Sequence, residues 1–116
     1  MARDAGVVCF PAREISVAKL AQLFPDASPV RIPVQVTTLR DGAEKLKEST
    51  LIEFGTPMEI LFASTLPLEF DDKVRVKNSD GSLEAEASVV AVQYHDGRKA
   101  VAARFLAEVG NWIIKR

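Results

Sequence analysis

The sequence predicts a mainly β domain of antiparallel strands, framed by a short helix at each end. Two observations carry this. The polar stretches Asp41-Gly42, Asn78-Ser79-Asp80-Gly81 and His95-Asp96-Gly97 each end in Asp-Gly, which supplies the positive φ that a tight reversal between antiparallel strands needs. Between them the sequence alternates with period two, over 32–37, over 73–77, and at Val101, Ala103 and Phe105. A chain of 116 residues that is 47% hydrophobic and 27% charged suits one domain with one core, and leaves no room for a cofactor domain joined to a substrate domain.

In chain order, Ser16 is placed to cap a helix whose Val17, Leu20, Ala21 and Phe24 share one face, and Pro25 stops it. Residues 24–29 read as a connector to the first strand. The next apolar run gives two strands, Thr50-Leu51-Ile52 and Met58-Glu59-Ile60-Leu61-Phe62. They bend at Gly55-Thr56-Pro57, where a ladder loses a donor at the proline. Over 83–94 the pattern changes within one strand. Leu83, Ala85, Ala87 and Val89 alternate with Glu84, Glu86 and Ser88, and then 89–92 is apolar on both sides, as fits a strand wet at one end and covered at the other. Leu106, Val109, Trp112 and Ile113 fall at helical spacing and predict a terminal helix packed on the sheet, weakened by Gly110.

Several chemistries are excluded. The formal charge of −1, from 15 basic and 16 acidic residues, gives no global field for polyphosphate or an anionic bilayer. Cys9 is the only cysteine, which rules out an intramolecular disulfide and suggests a reducing compartment; between Val8 and Phe10 it reads as a small buried hydrophobe. Pro11 interrupts the first apolar run, no signal-peptide core forms and no apolar run reaches membrane-spanning length, so the expectation is a soluble, cytoplasmic protein without membrane insertion. His95 is the only histidine and sits in an expected turn, too isolated for a zinc cage or a nucleophilic triad. No Gly-x-Ser-x-Gly elbow or glycine-rich phosphate loop occurs. Glu84 with Glu86, or Asp71 with Asp72, would need neighbours that separate their pKa values to act as acid and base, and the sequence shows none. No enzyme activity, metal or cofactor is expected. Lys73, Arg75 and Lys77 form a basic stripe without interleaved aromatics, which fits a solvated strand face better than a nucleic-acid groove.

From Arg31 to Trp112, about two thirds of the chain, the order of signals resembles a PilZ domain. The carriers are Arg31-Ile32-Pro33-Val34-Gln35-Val36, then 50–52 through Leu66-Pro67-Leu68, Lys73-Val74-Arg75-Val76, Ala87-Ser88-Val89-Val90-Ala91-Val92, 101–106 and Asn111-Trp112. The resemblance implies a six-stranded antiparallel barrel with a terminal helix over 31–116, preceded by an extension over 1–30, in one compact domain. It also implies a bacterial receptor for cyclic di-GMP or an adaptor. The family holds the nucleotide with RxxxR before the first strand and (D/N)xSxxG on the following strands. Arg31 matches the last arginine of the first motif, but its partner position is Ala27, and the second motif falls on Ile52, Phe54 and Pro57. Two guanidinium forks and their polar companions are therefore reduced to one residual fork at Arg31.

The expectation is a PilZ-like adaptor in motility, pilus or second-messenger signalling that works through protein contacts, with cyclic di-GMP binding weak or absent. Val17, Leu20, Phe24 and Trp112 are the candidate partner-binding residues, although an apolar helix face more commonly packs on its own domain. The alternatives are a cyclic di-GMP receptor centred on Arg31 with companions such as Arg40 or Arg104, and a small nucleic-acid-binding barrel using the basic stripe. Nucleic acid is not the expected partner, and a homo-oligomer is left open.

Overall fold

The computed structural model describes residues 12–39, 45–95 and 98–114. Cys9, Arg40 and the dipeptides Asp41-Gly42 and Asp96-Gly97 lie outside these residues, as does the side chain of His95. One helix, α1 (Ala12–Ala21), precedes six strands: β1 (Ser28–Thr38), β2 (Lys47–Gly55), β3 (Glu59–Ser64), β4 (Lys73–Asn78), β5 (Glu84–His95) and β6 (Arg98–Phe105). The strands close into an antiparallel barrel in the order β1-β2-β3-β6-β5-β4. No helix among the described residues is long and apolar enough to cross a membrane.

Alternation builds the interior. Val34 and Val36 from β1, Ile52 from β2, Ile60 and Phe62 from β3, Val74 and Val76 from β4, Ala87 and Val89 from β5, and Val101, Ala103 and Phe105 from β6 form one buried cluster. Successive side chains of a strand point to opposite faces, so the intervening residues face outward. Prolines sit where the barrel tolerates them. β4 pairs only with 34–38 of β1, so Pro29 and Pro33 lie in a stretch that has β2 alone as its neighbour.

The outward face of β3 and β6 is also covered. Val17, Leu20 and Ala21 of α1 pack on Leu61, Ala63, Ala100 and Ala102, with Phe24, Phe54, Val90 and Ala91 at the margins. The small alanines let the helix approach the strands closely, and all six residues of β3 are buried as a result. Two register shifts serve this seam. One between Ile52 and Phe54 leaves Ile52 in the barrel interior and Phe54 under the helix. The other, between Val89 and Ala91, turns Ala91 toward α1 and Val92 to the core. The apolar-on-both-sides pattern at 89–92 thus has the physical cause expected of it.

Three expectations need correction. The helix begins at Ala12, so Ser16 is an interior helical position and not its cap. It ends at Ala21, short of the expected Phe24, and turn hydrogen bonds from Leu23 N to Leu20 O (3.0 Å) and Phe24 N to Ala21 O (3.0 Å) carry the chain on to Pro25. The α1 stripe, a candidate partner surface in the sequence, instead covers the side wall of the barrel. Finally, residues 106–114 form no helix; they are an irregular strap in which Trp112 is 2% exposed while Ile113 is 63% and Leu106 51% exposed. A single helical face would have buried all three together.

The β4–β5 hairpin realises its sequence signal. Gly81 has φ of 77°, Ser82 N donates to Asp80 Oδ1 (2.9 Å), and Asn78 Oδ1 accepts from Leu83 N (3.0 Å). A Cβ on Gly81 would meet nothing nearer than Lys77 Cε at 3.7 Å, so the obstacle to substitution is conformational and not steric. Gly81→Ala is expected to cost about 1 kcal/mol and Gly81→Asn less, read from denaturant midpoints.

Candidate functional site

The β2–β3 turn, the end of β6 and the strap meet at one mouth of the barrel, at the same end as the start of β1. At the turn, Pro57 cannot continue a ladder, and Thr56 organises the chain instead. Its Oγ1 accepts from Met58 N (3.1 Å) and Glu59 N (2.8 Å), its N–H donates to Glu59 O (2.9 Å), and its hydroxyl donates to Glu59 Oε1. Glu59, 9% exposed, then receives Arg104 from the neighbouring strand, with Nε and a terminal nitrogen both 2.8 Å from Oε2. The register Glu59↔Arg104 in the β3–β6 ladder places the two opposite one another. Both guanidinium nitrogens converge on one carboxylate oxygen in a charge-assisted contact, and Thr56 holds the other oxygen.

Trp112 closes the mouth. Its indole N–H donates to Thr56 O at 2.7 Å, and its ring meets Phe105 edge-on, with centroids 5.4 Å apart and planes at 71°. Gly55 makes room for it: a Cβ there would lie 2.5 Å from Trp112 Cζ2. Leu106 N donates to Glu86 O (3.0 Å) and the Asn111 amide donates to Ser82 O, which pin the strap to the start of β5. A groove runs on each side of the strap. One, of about 550 Å³, is bounded by Met58, Phe105 and Ile114; the other, of about 500 Å³, is bounded by Ser82, Glu84 and Glu86.

The sequence-derived candidates are distributed unevenly around this mouth. Arg31 is exposed on β1 beside the shift between Pro29 and Ile32, and it makes no ion pair among the described residues. Its strand runs alongside β2, so the positions of both nucleotide motifs do come together. They bring a fully buried Ile52, a Phe54 held under α1 and Pro57 at the turn. Arg104 is not a companion for Arg31: β2 and β3 stand between their strands, three spacings of about 4.8 Å, and its guanidinium is engaged by Glu59. Val17 and Leu20 are 0% and 2% exposed, and Phe24 lies at the margin of the same seam, so this stripe is occupied within the domain and is not a free docking face. Trp112 is likewise interior, as the plug of the mouth.

The basic stripe is answered in part, and across the ladder only at Arg75. Lys73, Arg75 and Lys77 pair in register with Ser88, Glu86 and Glu84. Arg75 and Glu86 are 2.8 Å apart, and this contact raises the guanidinium pKa above its ordinary value. Lys73 binds Asp71 at 3.2 Å. Asp72 instead turns its carboxylate to Glu69 N at 2.9 Å, so the two adjacent aspartates do not converge as an acid and base. Among the described residues, no group of three or more His, Cys, Asp or Glu side chains is placed to hold a metal ion.

Sequence reasoning missed the Thr56-Glu59-Arg104-Trp112 network as a unit. Alternation does put Glu59 and Arg104 on outward faces, but their meeting depends on a register that no local pattern carries. Comparison of the chain with family models, with curated proteins and with solved structures gives no match.

Proposed function

We propose that this protein is a PilZ-type adaptor that acts in bacterial motility, pilus or second-messenger signalling through protein contacts, independently of cyclic di-GMP. The observation that supports this reading best is the filling of the nucleotide-motif positions. Ile52 is 0% exposed in the barrel core, Phe54 packs under α1, and Ala27 stands where a second arginine would be needed beside Arg31. Each missing charge-assisted hydrogen bond would have contributed about 1.5–3 kcal/mol to holding a nucleotide. A cytoplasmic setting belongs to the same proposal, from the sole cysteine and the resemblance.

Titration calorimetry with cyclic di-GMP tests it. The expected result is no heat at high protein concentration and an unchanged melting temperature. Micromolar binding that Arg31→Ala abolishes would replace the adaptor by a nucleotide-gated receptor centred on Arg31. The nucleic-acid reading is weakened by the ion pairs that Arg75 makes with Glu86 and Lys73 with Asp71, and it predicts salt-sensitive binding to single strands.

A further inference from the structure

The groove between the start of β5 and the strap combines three features. Its walls carry Glu84, Glu86 and Glu108, and none of its lining residues is basic. It has an apolar side, formed by Val109 and by Leu106, which is 51% exposed. Both walls are fixed. β5 is held through its register with β4, Glu84 against Lys77 and Glu86 against Arg75. The strap is held by Leu106 N on Glu86 O (3.0 Å) and by the Asn111 amide on Ser82 O. Glu86 is engaged by Arg75; Glu84 stands in register opposite Lys77 and acts on Arg75 at longer range, but neither Glu84 nor Glu108 makes an ion pair among the described residues.

We propose that this groove seats a short segment of a protein partner that carries lysine or arginine beside an aliphatic residue. The assignment rests on the adaptor reading and names the chemistry of its partner. The cation meets Glu84 and Glu108, and the aliphatic side chain lies against Leu106 and Val109. Complementary potential selects such a segment and rejects its opposites, because placing like charges together is strongly unfavourable. An acidic peptide, a nucleotide or a nucleic acid would meet carboxylates on both walls. The groove is built from pinned backbone, so binding requires little ordering of the receptor.

The experiment is selection of a display library of short random peptides on the full chain, followed by fluorescence anisotropy with one selected peptide made synthetically. Selected sequences are expected to carry Lys or Arg next to Leu, Ile or Val. Affinity should fall at least about tenfold in the double variant Glu84→Lys with Glu108→Lys, and should weaken as salt rises from about 50 to about 300 mM. Leu106→Ser should weaken it as well, while Leu23→Ser, at an exposed position after α1, should leave it unchanged. These substitutions lie at exposed positions, and matching melting curves confirm the fold. Selected peptides that lack basic residues, or that bind the double variant as well as the parent, overturn the assignment, and so does failure to select any peptide. A dimer seen in sedimentation and dissolved by the double variant also overturns it, since a second copy would then fill the groove. The nucleotide titration reads the adaptor proposal separately. Heat with cyclic di-GMP rejects nucleotide independence and leaves a basic-peptide result standing.

Discussion

Trp112→Ala is expected to remove about 3–5 kcal/mol of stability, the range for truncating a large buried aromatic side chain. Against a total of about 5–15 kcal/mol for a domain of this kind, that is a large share. The loss has three sources: the indole fills the barrel mouth at 2% exposure, its edge contact with Phe105 disappears, and Thr56 O loses its donor. Trp112→Phe keeps a ring and loses the N–H, so it should cost less. Gly55→Ala reaches the same contact from the other side. Its methyl group would stand 2.5 Å from Cζ2 of Trp112 and 2.9 Å from Cδ1 of Ile114, so the ring must shift. Overpacking of this kind costs about 1–3 kcal/mol. In a Trp112→Ala background most of that cost should vanish, and the two substitutions should be clearly less than additive in urea denaturation. Additive effects would mean that the indole does not occupy the mouth in solution.

Arg104→Ala is the second large effect, expected at about 2–3 kcal/mol. It leaves the Glu59 carboxylate, whose side chain is 12% exposed, without its guanidinium fork and with Thr56 as its remaining polar side-chain partner. Stranding one member of a fully buried pair costs about 3–5 kcal/mol, and the value here is lower because the arginine side is half exposed and solvent screens it. Glu59→Gln keeps an acceptor for the Thr56 hydroxyl and releases Arg104 to water, so it should be the milder change. Urea denaturation of the two single variants and the double variant gives the coupling directly. A coupling near zero would reduce the pair to a surface contact.

The two effects bear on function because they separate the scaffold from the surfaces. The network of Trp112, Thr56, Glu59 and Arg104 holds the mouth of the barrel, and the outer edges of the same strap present Leu106 and Glu108. A substitution at Leu106 or Glu108 should therefore alter binding without unfolding the protein, whereas one at Trp112 should do both. That contrast distinguishes a contact residue from a residue that only keeps the strap in place.

Most strands were legible because period-two alternation is local, and burial in a barrel follows it residue by residue. The turn at 78–81 was legible because a positive φ needs glycine or an equivalent at a definite place. The switch in β5 was legible because a run apolar on both sides requires two covers, here the core and α1. The strap was misread because Leu106, Val109, Trp112 and Ile113 satisfy helical spacing by coincidence. Asn111 reaches Ser82 in the β4–β5 turn while Trp112 reaches Thr56 in the β2–β3 turn. A turn closed by Trp112 N on Val109 O (3.3 Å) stands where the helix was expected.

The sequence by itself determined the β class, the strand positions, the bend at Gly55-Thr56-Pro57 and the absence of the residues a nucleotide motif requires, since each depends on residue type and near neighbours. Tertiary structure decided what touches what. It set Glu59 against Arg104 at a separation of 45 residues and Arg75 against Glu86 at 11. It buried the α1 stripe that local amphipathicity left open, and it set the Trp112 indole over the Gly55 backbone. These contacts follow from strand register and barrel closure, and both are fixed only when all six strands are paired.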